Sequence, residues 1–278
     1  MLSQTIEGFR LSPQQKQLWS LQQSGDLYCA QCVLRIEGKL QVEILKLTLQ
    51  KIVHRHEILR TYFHRQPGIK IPIQVINNDG VSSWRELNQS DWGYKQIEEL
   101  CHKERQFVFN FEQDPLLRIL LLAESSNQWW LLITLPSLCA DGWSLKNLVK
   151  EVSYIYGACL RNEELEDELV QYIQFSEWCN ELLEDEDVAA GKAYWRQQRL
   201  SLIPSLTLPF ESYSGRQTRF EPSVHTLRLE PDLVAKLDTI ATLHKTTVAD
   251  FLFACWQILL WRITGQSDIV VSTVYPGR

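Results

Sequence analysis

From Val42 the apolar positions Ile44, Leu45, Leu47, Leu49, Ile52 and Val53 recur at helical spacing and predict a helix ending near His56. Helices are predicted likewise from Ser12-Pro13, where a capping residue precedes proline and Leu18 and Leu21 follow, and over residues 94–105. Apolar runs of strand length occupy residues 28–36, closed by Glu37-Gly38, then 60–64, 71–76, 116–123 and 129–135. The turn sequence ESSNQ joins the last two. A helix is expected from Gly142 to about Leu160, with two more over 169–183 and 188–199.

Residues 201–222 hold three Pro, one Gly and many Ser and Thr, the composition of an extended crossing between two subdomains. Beyond it the pattern predicts a strand over 224–229, a helix from Pro231, a helix over 247–264 and a strand over 268–274. Helices and strands mix without strict alternation. The reading is an α/β fold with an N-terminal subdomain over 1–200, a crossing at 201–222 and a C-terminal portion over 223–278.

With 278 residues, 45% hydrophobic and 22% charged, the chain has apolar material for one large domain or two ordinary ones. Ten Trp place much aromatic surface in its core or in a groove. The net charge of −6 argues against a nucleic-acid partner. No apolar run reaches membrane-spanning length; the best, 251–261, is short and broken by Gln257. The first ten residues lack the basic flank and apolar block of a signal peptide, which points to the cytoplasm. Seven scattered Cys suit reduced thiols. Cys29 and Cys32 form a CxxC, but in a strand-like run and with no second pair to complete a zinc site, so no metal is expected.

Five stretches carry a resemblance. They are LSPQQKQLW (residues 11–19), RHEILRTYF (55–63), PSLCADG (136–142), YIQFSEW (172–178) and TGQSDIVVSTVYPGR (264–278). In that order they resemble the condensation domains of nonribosomal peptide synthetases. The second stretch is similar to that family's RHExLRTxF motif almost letter for letter. The fourth resembles YxDFAxW, with Gln174 where Asp usually stands, and the fifth resembles GQxDixxGxPxxGR. The third aligns with the active-site motif HHxxxDG.

The resemblance implies two chloramphenicol-acetyltransferase-like lobes forming a sandwich, with a tunnel along their junction. The family's domain continues past the position of Arg278, so the second lobe is expected to be incomplete, with an open strand edge that self-association or a missing segment would cover. No cofactor is implied beyond the phosphopantetheine arms of donor and acceptor carrier proteins, with other synthetase domains adjacent. The acceptor amine attacks the donor thioester and an amide results. The motif's second His hydrogen-bonds the amine or stabilises the tetrahedral intermediate, and its Asp pairs with an Arg from the other lobe. Carried over residue by residue, the Asp is Asp141, the Gly is Gly142 and the Arg is Arg278.

Pro136 and Ser137 stand where the two His would be. Ser137 is a hydroxyl that cannot accept a proton at neutral pH, where an imidazole would titrate. Four readings stay open: a docking or gating module, an acyltransferase working by positioning with Ser137 assisting, a covalent Ser137 or Cys139 nucleophile, and a core without a site.

Other residues have plainer explanations. Cys139 follows a strand in an apolar context, where a free thiol is ordinarily inert packing. Ser144 and Asp141 are placed to cap the following helix. His54, Arg55, His56 and Arg60 gather at a helix end where the dipole favours cations. The acidic run from Glu163 to Asp187 reads as the solvated side of two helices, because acidic carrier proteins would be repelled there.

Overall fold

In the computed structural model, which describes residues 7–22, 28–88, 92–165, 169–198, 205–211 and 225–273, strands Arg118–Ser125 (β5) and Gln128–Pro136 (β6) form the middle of a four-stranded sheet. Cys29–Glu37 (β1) lies outside β6 and Ser83–Asn88 (β4) outside β5. β6 is antiparallel to both neighbours, and β4 runs parallel to β5.

Both faces of the central strands are covered, which is why their sequences are nearly continuous in apolar residues. Ile119, Leu121, Leu131, Ile133 and Leu135 point to one face. There they meet the apolar stripes of helices Val42–Arg55 (α2) and Gly142–Arg161 (α4), including Leu49, Ile52, Leu148 and Ile155. The alternate residues Leu120, Leu122 and Leu132 point to the other face, against Ile97 and Cys101 of helix Tyr94–Arg105 (α3). Buried Glu104 of α3 is compensated by Arg85 and by Arg118, the latter at 3.0 Å. Each fully buried Leu contributes roughly 1.5–3 kcal/mol, so this three-layer block is the rigid frame for everything at its edges.

A smaller antiparallel pair, Thr61–His64 (β2) and Ile73–Ile76 (β3), sits beside helices Pro13–Gln22 (α1) and Tyr172–Glu184 (α5). Leu11, Trp19, Phe63, Leu116 and Leu138 form its core. α1 begins with a reciprocal cap: Gln15 N donates to Ser12 Oγ and Ser12 N to Gln15 Oε1.

The chain divides into two compact units, Met1–Glu186 and Asp187–Arg278. All six strands found among the described residues lie in the first. The second holds helices Ala189–Gln197 (α6), Pro231–Leu243 (α7) and Val248–Thr264 (α8). Thr247 and Asp250 cap α8 reciprocally, and Gly265 ends it with φ 71°, a conformation that favours glycine. Most of the expected crossing lies outside the described residues.

Two expected strands are corrected. The described parts of 224–229 and 268–274 have no regular structure, because a strand exists only with a hydrogen-bonded neighbour and none pairs with them among the described residues. One strand, β4, was not expected. Its four outer residues are exposed, so it lacks apolar alternation, and it is held as an edge by its ladder to β5. No single helix among the described residues is long and apolar enough to cross a membrane; α7 and α8 pass together on length and composition but bend by 98°.

Candidate functional site

The PSLCADG segment runs from the last residue of β6 to the start of α4. Pro136 is paired with Cys29 across the sheet, and Ser137 N donates to Tyr28 O at 2.9 Å, which ends the ladder. The chain then folds back: Cys139 N and Ala140 N both donate to Pro136 O, at 2.9 and 3.3 Å. Asp141 closes the turn as the N-cap of α4. Its Oδ1 accepts from Ser144 N at 2.8 Å and from Ser144 Oγ at 2.7 Å. The segment is therefore a short, internally bonded loop at the end of an interior strand.

Ser137 is half-buried, and its hydroxyl has no hydrogen-bond partner among the described residues. Cys139 packs against the Leu11–Trp19–Phe63 core, and burial pushes its thiol far above the ordinary range. A carbon added at Gly142 would meet nothing within 4 Å, and its φ is not positive, so the described surroundings do not explain a glycine there. Arg278, the expected partner of Asp141, lies outside the described residues.

Two of the other motifs, residues 11–19 and 172–178, reach this loop through shared hydrogen bonds. Gln15 Nε2 donates to Leu138 O at 3.1 Å and to Gln74 Oε1 at 3.0 Å. Gln74 Nε2 donates to Arg10 O at 2.9 Å, the same oxygen that accepts from Ser176 Oγ at 2.8 Å. Ser12 Oγ and Tyr172 Oη are 2.9 Å apart. A buried polar network thus ties α1, β3 and α5 to the loop.

The RHEILRTYF stretch acts from the other side. Arg55 Nε meets Glu151 Oε1 at 2.9 Å and His56 Nε2 meets Glu151 Oε2 at 2.5 Å, which anchors the middle of α4. Burial raises the Glu151 carboxyl, but the hydrogen bonds and charges of His56 and Arg55 outweigh it and hold it below the usual carboxylate range. The basic cluster is accordingly more than a dipole effect: Arg60 too is engaged, donating to Asn77 O at 3.0 Å. Glu177 and Glu184 of the acidic run also have a partner, Arg10, at 2.9 and 2.6 Å. Gln74 and Glu151 escaped the sequence reading. Their only local signals were a polar residue inside a short apolar run and a Glu on a helix whose buried stripe faces α2.

Cys29 and Cys32 lie three apart on β1 and so on opposite faces, Cys32 toward the α2–α4 core and Cys29 toward Arg105 O of α3. Burial pushes Cys32 up to about 11 and also raises Cys29, against the Arg105 charge. They do not converge on one ion.

A condensation-domain family model matches residues 6–278. Bacitracin synthase 2 of Bacillus licheniformis is 30% identical over 275 residues, covering 97% of this chain and 10% of that synthase. The condensation domain from Monacolin K polyketide synthase MokA has the same fold, with TM-score 0.78 and 20% identity over 94% of this chain and 61% of its own. The X-domain solved in complex with OxyB from teicoplanin biosynthesis aligns with TM-score 0.72 and 21% identity, over 94% and 58%. The chain spans less than two thirds of each of these proteins. With the family model matched along almost its whole length, the chain belongs to the condensation-domain family.

Proposed function

We propose that this chain is a condensation-type docking or gating module of a nonribosomal peptide synthetase. It receives the phosphopantetheine-bound thioesters of a donor and an acceptor carrier protein, beside adjacent synthetase domains, and performs no acid–base catalysis of its own. The observation that carries this reading is Ser137. In the slot of the family's second His stands a hydroxyl with no hydrogen-bonded base among the described residues, on a loop held by backbone hydrogen bonds to Tyr28, Pro136 and Gln15. Acid–base catalysis of amide formation through that slot needs a group that takes the amine proton near neutral pH, and a serine hydroxyl does not. The X-domain, solved in complex with OxyB, is an instance of this fold engaging another protein and supports a binding role.

A second reading has one observation in its favour. Ser137 is partly exposed and its Oγ is unengaged among the described residues, so it can donate one hydrogen bond to an oxyanion, worth roughly 2–4 kcal/mol when preorganised. Chemistry would then come from holding amine and thioester together. Titrating the chain with carrier proteins bearing or lacking the acylated arm tests the docking role. Saturable binding that strengthens with the arm is expected; no binding of either carrier would contradict it.

A further inference from the structure

Helix α4 buries one side and leaves the other bare. Leu145, Leu148, Val152, Ile155 and Cys159 pack into the core beneath the sheet. On the opposite side Trp143, Lys146, Lys150 and Tyr154 are all exposed, and spacings of three and four residues align them in one stripe. At 1.5 Å of rise per residue the stripe is about 16 Å long, the span of one ordinary helix.

Its chemistry is aromatic and cationic. Trp143 is 58% exposed and Tyr154 60%, and Lys146 Nζ lies 5.2 Å from the centre of the Trp143 ring. Neither lysine makes an ion pair among the described residues. The one carboxylate on α4, Glu151, turns to Arg55 and His56, and Arg161, beyond the stripe, pairs with Glu163 at 2.7 Å. The exposed side of α3, by contrast, interleaves Lys95 and Lys103 with Glu98 and Glu99.

The stripe starts where the slot ends. Trp143 is the second residue of α4, two positions after the Asp141 cap that closes the Ser137 loop. Covering Trp143 with a partner would gain apolar burial that the fold leaves unused, and the two free cations would select an acidic partner and speed its approach.

We infer that this stripe is the docking face for an acidic carrier protein, which brings its arm to the Ser137 loop. The choice of a carrier rests on the reading above; the face itself is read from α4. A nucleic acid would also meet the lysines and stack on Trp143, but the chain as a whole carries a net charge of −6 and repels a polyanion.

Calorimetric titration of the full chain with a carrier protein bearing its acylated arm tests it. The proteins compared are the wild type, Trp143→Ala, a double variant with Lys146→Glu and Lys150→Glu, and a control with Lys95→Glu and Lys103→Glu on α3. All the substituted side chains are exposed, so the core is untouched. Each α4 variant is expected to weaken binding about tenfold or more, and the α3 control to bind like the wild type. Added salt should weaken the wild-type complex and have less effect on the double α4 variant. Carrier binding unchanged in both α4 variants, or weakened as much by the α3 control, would overturn the face and leave the docking role standing. Absence of carrier binding to the wild type would remove both. Tighter binding of a single-stranded oligonucleotide, or of vesicles of anionic lipid, than of the carrier would overturn the choice of partner.

Discussion

Gln15 Nε2 donates to the carbonyl oxygen of Leu138 at 3.1 Å, so the first helix grips the loop that carries Ser137, 123 residues further along the chain. The same nitrogen serves Gln74 Oε1 at 3.0 Å, and Gln15 is 1% exposed. Gln15→Leu would leave both oxygens unmet in a dry interior, at about 1–3 kcal/mol each before relaxation. We expect the variant to lose roughly 2–4 kcal/mol in denaturant unfolding. An unchanged midpoint would mean that the grip is not structural.

Glu151 holds Arg55 and His56, and its folded carboxyl titrates below the ordinary range. A depressed carboxyl contributes stability that is complete above the unfolded value and is lost as pH falls through the folded one. Glu151→Gln is therefore expected to cost about 2 kcal/mol near neutrality, less than a fully buried pair because the group is partly exposed. In acid below the folded value the variant and wild type should converge. Unfolding free energies of both proteins across that range check it, and a pH-independent difference would contradict the ion pair.

Asp141 does two things that substitution separates. Asparagine caps a helix as well as aspartate, so Asp141→Asn keeps the bond to Ser144 N while removing the charge. If Arg278 pairs with Asp141 across the lobes, as the family pattern implies, Asp141→Asn should cost on the order of 3 kcal/mol. Asp141→Ala should cost about 1 kcal/mol more for the cap. Thermal unfolding of the two variants distinguishes them; Asp141→Asn melting like the wild type removes the pair.

The parts of this architecture that were legible in the sequence are those fixed by local pattern. α2 shows its stripe of Leu45, Leu49, Ile52 and Val53, and β5 and β6 show themselves as apolar runs joined by a tight turn. The capped start of α4 was visible in Asp141 and Ser144. What was hidden depends on partners distant in sequence. β4 is a strand only because β5 offers it a ladder, and residues 225–229 are not one because nothing does so among the described residues. Likewise Gln74 and Glu151 acquire their roles from Gln15 and Arg55, 59 and 96 positions away.

Cys139 is the test of a covalent route. An acyl-enzyme needs a thiolate or an activated hydroxyl, and burial disfavours the thiolate here. Iodoacetamide at neutral pH should modify Cys139 far more slowly than exposed Cys255, and an acyl-thioester analogue should leave the intact mass unchanged. A stoichiometric adduct mapped to Cys139 or Ser137 would replace docking with nucleophilic catalysis.

The most direct measurement is amide formation itself. Donor and acceptor carrier proteins loaded with thioesters are mixed with the chain, and the acceptor carrier is read by intact mass. On the proposed reading, in which Ser137 fills the slot of the family's second His, we expect both carriers to bind and no amide above the rate of the carriers alone. Amide formed by the unmodified chain and abolished in Ser137→Ala would contradict the account and make Ser137 a working catalytic group.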